Sequence, residues 1–191
     1  MILPIVAYGH STLRKVARPI EPGHPGLEEL IANMFDTMYE SQGVGLAAPQ
    51  VNQSIRLFIM DTAPYAEEHP ELAEFKKVFI NPQIIEELGE DMVFNEGCLS
   101  IPEIREDVIR KTKIRIQYQD TEFRSYDEYF EGIPARVMQH EYDHLEGRLF
   151  VDRISPLRKM LLKRRLNDIS TGNIDAKYRM IFPALKKKVR A

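Results

Sequence analysis

The chain has 191 residues, 43% of them hydrophobic and 29% charged, with a formal net charge of −3. That length suits one domain with a sizeable core, the composition is ordinary for a soluble globular protein, and the net charge says little about partners. The single cysteine, Cys98, excludes an intramolecular disulfide, and no apolar run approaches membrane-spanning length.

The N-terminus, Met1-Ile2-Leu3-Pro4, lacks the layout of a signal or transit peptide. With a lone thiol, which suits a reducing compartment, this leads to an expected cytoplasmic location. Residues 1–10 read as an extended arm. Ser11 is placed to cap a short helix, Thr12 to Ala17, and Pro19 to Gly26 reads as a loop. Leu27, Leu30, Ile31, Met34, Phe35, Met38 and Tyr39 follow helical spacing, and Gly43 ends that amphipathic helix. Gly43 to Gln50 is small and flexible. It has no G-K-[ST] after it and no strand before it, so a phosphate loop is set aside; its small residues instead let another backbone approach closely.

Ile55 to Met60 reads as a strand and Asp61 to Lys77 as a polar surface excursion. Val78 to Ile80 and Ile84 to Leu88 read as two strands around an Asn81-Pro82 turn. Lys113 to Tyr118 alternates as a half-buried strand, with Asp107 to Arg110 paired nearby and Phe123 to Phe130 continuing the sheet. A helix over 133–146 follows, with Pro134 in its first turn and Gly147 as its stop. Ser155-Pro156 starts a last helix that runs to about Ile169. From Pro156 onward Lys and Arg are many, which reads either as a solvated face or as contact with an anionic surface such as RNA.

Gln139-His140-Glu141-Tyr142-Asp143-His144 contains H-E-x-x-H. On a helix His140 and His144 lie one turn apart on one face, placed to grip one metal ion, with Glu141 directed to the same space. Ile133 and Val137 share that face. The plainer alternative, a core helix with two satisfied histidines, must bury a Glu and two His without a partner, which is costly. Two imidazoles leave a zinc-type site incomplete. No His follows His144 and no Glu follows Glu146, so Asp152, Asp168 and Asp175 remain downstream, none in a readable motif. Upstream, Cys98 sits in Glu96-Gly97-Cys98-Leu99-Ser100 among flexible and polar residues, and elimination favours it. A Cys–His nucleophilic pair is the weaker alternative, since it needs only one His. A cation on Cys98, His140 and His144 would bring the pKa of a water toward neutrality. Glu141 would then take the proton and pass it on. Candidate donors to the oxyanion are the Gly97-Cys98-Leu99 N–H groups and the Gln50 amide.

Gly43-Val44-Gly45-Leu46-Ala47-Ala48-Pro49-Gln50, Glu96-Gly97-Cys98-Leu99-Ser100 and Gln139-His140-Glu141-Tyr142-Asp143-His144 together resemble, in order, the three signature motifs of the peptide deformylase family. The similarity runs over about residues 3–165, although the Asp61–Lys77 stretch looks longer than in compact members. The resemblance implies removal of the formyl group from N-terminal formyl-methionine of new polypeptides. It implies that Cys98, His140 and His144 bind one divalent metal, typically Fe(II), with Zn, Ni or Co able to substitute. It further implies that Glu141 is the general acid/base, that Gln50 and the Leu99 N–H stabilise the oxyanion, and that Gly45 lines the site.

Val44, Phe94, Ile133 and Val137 are candidates for the wall of a methionine pocket. The Gly43–Leu46 and Glu96–Leu99 backbones are candidates to flank the substrate as an added strand. Glu96 is a candidate to orient a ligating His, and Asp143 to pair with Arg110. The expected fold is α+β, one domain over 1–191. In it the H-E-x-x-H helix packs on small, mostly antiparallel sheets between an N-terminal amphipathic helix and a basic C-terminal helix and tail from about residue 156. The expected partners are N-formylmethionyl peptides and nascent chains, with a transient ribosome contact through the basic C-terminal region, no membrane and no sequence-specific nucleic acid. Competing readings are a peptidase of the H-E-x-x-H kind and a non-catalytic scaffold.

Overall fold

A computed structural model describes residues 1–183; the end of the basic tail, from residue 184, lies outside the described residues. The elements in chain order are β1 (Ile5–Val6), α1 (Leu27–Glu40), β2 (Gly45–Ala47), β3 (Leu57–Asp61), β4 (Lys76–Cys98), β5 (Ile101–Gln119), β6 (Ser125–Glu131), α2 (Gly132–Leu145), α3 (Pro156–Thr171) and β7 (Met180–Ile181). Strands β2 to β6 form a five-stranded sheet in sequence order, antiparallel throughout, and β1 pairs β7 in a small parallel sheet. This is the α+β arrangement that the hydrophobic patterning predicts.

The helices follow from their apolar spacing. In α1, Leu27, Ile31, Met34, Phe35 and Met38 are buried, each contributing roughly 1.5–3 kcal/mol. Tyr39 departs from that stripe: it is largely exposed and donates its hydroxyl to Asp61 Oδ2 at 2.6 Å. In α2 the stop predicted at Gly147 is required twice over. Its φ is +68°, and a Cβ there would lie 2.8 Å from the Arg14 backbone, a spacing that only glycine tolerates. Ser155 caps α3, accepting from the Arg158 N–H, as Ser-Pro at that position predicts.

Three local expectations are corrected. The Thr12–Ala17 helix is a short 3₁₀ turn, Ser11–Arg14, capped by His10 rather than Ser11. The turn expected at Asn81-Pro82 is a bulge inside one continuous strand, β4. Asn81 takes φ +50°, and its side chain bonds the Ile20 N–H and carbonyl and the Gln119 side chain, so the chain keeps its course instead of reversing. The separate strands expected around Asp107 and Lys113 are likewise one strand, β5. The long β4–β5 hairpin lays its tip, Cys98 to Ile101, next to α2, and α2 packs across β2, β3, β5 and β6.

Candidate metal centre

α2 supplies His140, Glu141 and His144. Their i, i+4 spacing sets the two imidazole centroids 5.2 Å apart, as one helical turn requires. Cys98 is the last residue of β4. One donor atom from each of Cys98, His140 and His144 lies within 4.8 Å of the others, with Cys98 Sγ 3.4 Å from His144 Nε2. Asp152, a rival for the third ligand on sequence grounds, is engaged elsewhere, paired with Arg14 and Lys159.

His140 is oriented from behind. Its Nδ1 lies 2.9 Å from Glu96 Oε2, which turns Nε2 toward Cys98 and His144. Glu96 is buried and also accepts from Arg110 Nε and Nη2 at 2.6 and 2.9 Å and from Arg136 Nη1 at 3.1 Å. Arg110 continues to Asp143 Oδ2 at 2.7 Å, and Arg153 grips both Asp143 oxygens at 2.6 Å. Burial alone would raise the Glu96 carboxyl, but hydrogen bonds from His140 and Arg110 hold it well below the carboxylate range. Burial opposes the Asp143 charge too, and Arg153 and Arg110 override it. The back of the site is therefore a dense ionic network in which both Glu96 oxygens and both Asp143 oxygens are engaged, while the buried Arg136 Nε has no hydrogen-bond partner among the described residues; low dielectric strengthens the bonds that are made.

Burial pushes His144 well below the imidazole range, leaving it neutral, the form that ligates a metal. Burial would lower His140 as well, but Cys98 and Glu96 outweigh it and pull it up; the same two groups favour any cation at this point. Burial pushes the Glu141 carboxyl up to about 7. Its Oε2 has no hydrogen-bond partner among the described residues. Gly45 makes room for it, since a Cβ there would sit 2.5 Å from Glu141 Oε1. One thiol and two imidazoles are the donor set of a transition metal rather than of calcium or magnesium, so the residues present fit a bound divalent ion.

Gln50 lies in a 3₁₀ turn, Ala48–Val51. Its Oε1 accepts from the Ala47 N–H at 2.8 Å, which aims Nε2 at Cys98 Sγ, 3.5 Å away, and Ser100 Oγ, 3.4 Å away. In front of Cys98 and His140 opens a cleft of about 580 Å³, lined among others by Val44, Gly45, Phe94, Gly97, Leu99 and Val137. Ile133 does not line it and packs instead beside the core around Val137 and Met138. Seven residues before His140, it sits about 10 Å back along the helix at 1.5 Å per residue, and Arg136 takes the wall position.

Arg136 had a signal in the sequence, being four residues before His140. Tyr65, Arg105 and Tyr178, which also line the cleft, come from distant segments and had none.

The comparisons with known proteins agree with this geometry. Residues 2–160 match the family model for polypeptide deformylase. The chain is 54% identical to a peptide deformylase of Christiangramia forsetii, over 98% of this chain and 99% of that one. It is 52% identical to a peptide deformylase of Flavobacterium johnsoniae, with the same shares of both chains covered. The crystal structure of a Legionella pneumophila peptide deformylase superposes with a TM-score of 0.79 at 37% identity, over 91% of this chain and 98% of that one. With family model, relatives, fold and convergent Cys98, His140 and His144 in accord, the chain belongs to the peptide deformylase family, metal-dependent hydrolases that remove the formyl group from formyl-methionine at the start of new polypeptides.

Proposed function

We propose that Cys98, His140 and His144 hold an Fe(II) ion and that Glu141 is the general acid/base of the deformylation. The observation that carries this is the meeting of the three donor atoms within 4.8 Å, with the Glu141 carboxylate pressed against Gly45 beside them. When bound, the cation supplies Lewis acidity toward a carbonyl and acidifies water. Glu141 takes the proton of the attacking water and returns it to the departing amine, a double role suited to a carboxyl near 7. Gln50 Nε2 and the Leu99 N–H donate to the developing oxyanion, where the loss of one donor typically costs ~10²–10³ in rate.

The substrate's methionine occupies the cleft between Val44, Phe94 and Val137. Its backbone adds to β2, which is an edge strand of the sheet, and runs past Gly97. That mode gives affinity through main-chain bonds without reading later side chains. An oxidisable Fe(II) and the Cys98 thiolate suit a reducing cytoplasm, where we place the protein. The pairing of β1 with β7 and the packing of α2 on β2, β3, β5 and β6 support reading the described residues as one metallohydrolase domain. The basic face of α3 is proposed to touch the ribosome.

The test is anaerobic purification, elemental analysis and a formate-release assay. About one iron per chain is expected, with formate released from formyl-Met peptides and internal peptide bonds left intact. Glu141→Ala is expected to keep its metal and lose ~10²–10⁴ in rate. Peptide-bond cleavage would favour the peptidase, and bound metal without hydrolysis of any formyl peptide would favour a scaffold.

A further inference from the structure

The two residues between β4 and β5, Leu99 and Ser100, are held from outside the sheet by both ends of the chain. The Tyr8 N–H, just past β1, donates to the Ser100 carbonyl at 2.8 Å. The Tyr178 hydroxyl, just before β7, donates to the Leu99 carbonyl at 2.6 Å. β1 and β7 are in turn joined, Ile5 opposite Met180 and Val6 opposite Ile181, with the Ile5 N–H bonded to the Arg179 carbonyl and the Ala7 N–H to the Ile181 carbonyl. Two consecutive carbonyls of the turn beside Cys98 are thus pinned by one small sheet. Residues Asp175, Lys177 and Tyr178 also line the cleft, beyond the segment that matches the family model. The Leu99 side chain is gripped on its other flank, since a Cβ on Gly43 would meet its Cδ1 at 2.8 Å.

We propose that Tyr178 is a positioning residue of the reaction: by holding the Leu99 carbonyl it fixes the backbone at Leu99 and so aims the Leu99 N–H at the oxyanion. This rests on the deformylase reading above, and on Leu99 as a donor. Cys98 has a tie of its own, the pairing with Ile101 in the hairpin, and the metal content of a Tyr178 variant tells an effect on the donor from an effect on the ligand. A donor displaced by a fraction of an ångström binds the ground state nearly as well and the transition state worse.

Tyr178→Phe keeps the ring and removes the bond. In the holoenzyme it is expected to lower kcat about tenfold with KM within twofold and metal per chain unchanged, and to move the Leu99 carbonyl ¹³C resonance. Tyr178→Leu, which removes the ring as well, is expected to lose as much kcat and also stability. A role in packing alone predicts the opposite split, with Phe at wild-type kcat, and that result overturns the proposal. So does a fall in kcat that tracks loss of metal, or an unmoved Leu99 resonance. The resonance reads the bond whether or not formate is released, whereas a wild type that releases no formate overturns the deformylase reading itself.

Discussion

Glu96 answers to four donors at once: two nitrogens of Arg110, one of Arg136 and the His140 ring. Burying a carboxylate at 4% exposure is tolerable only because each lone pair has a charged or polar partner. Replacing it with Gln halves the acceptors and turns an amide N–H₂ toward guanidinium groups. Glu96→Gln is therefore expected to cost about 3–5 kcal/mol of stability and about 10–100-fold in metal affinity, read by denaturant unfolding and by competition with a chelator. Because the folded carboxyl lies below its ordinary value of 4.5, its stabilisation is complete above that value and is lost as pH falls through the lower folded value. The difference between wild type and variant should thus be full at neutral pH and shrink in acid. Equal stabilities at pH 7 would contradict the network. At this scale the sequence was informative where spacing is local. H-E-x-x-H announced its own geometry, and the pairing of Arg110 with Asp143 could be suggested. That both join Glu96, Arg136 and Arg153 in one network depends on how the hairpin meets the helix, which no local pattern encodes.

The α-helices could be read in the sequence, α1 and α2 because each buries one apolar stripe and α3 because Ser155-Pro156 marks its start. The strands were harder. β4 and β5 contain bulges that place Pro, Gly and Asn inside regular structure, and punctuation of that kind normally marks a turn. β2 is fully buried and too short to alternate, so it read as a loop. α3 carries a specific expectation. Arg158 is engaged by Glu106 at 2.7 Å, Lys159 by Asp152 at 2.6 Å and Arg165 by the Glu103 carbonyl at 2.5 Å. Lys163 and Arg164 have no such partner among the described residues, and Leu157, Met160 and Leu161 are exposed on the same helix. If this element touches ribosomal RNA, Lys163→Ala with Arg164→Ala should weaken co-sedimentation with ribosomes and flatten its salt dependence, leaving formate release from short peptides intact. Unaltered co-sedimentation would remove the proposed contact.

Across the whole molecule, the site is assembled from segments that lie far apart in the chain: the Gly43–Gln50 stretch, the tip of the β4–β5 hairpin, α2, and the returning C-terminal segment with Tyr178. The first three carry the signature motifs and could be read together in the sequence. The fourth could not, because Tyr178 reaches the cleft only through the parallel pairing of the chain's two ends. On this account a thiolate from the hairpin and two imidazoles from the helix close on one cation. X-ray absorption on protein loaded stoichiometrically with zinc tests this most directly. The account predicts one sulfur scatterer at about 2.3 Å and two imidazole nitrogens at about 2.0–2.1 Å, with the sulfur lost in Cys98→Ser. A wild-type spectrum with nitrogen and oxygen only, and no sulfur shell, would contradict it.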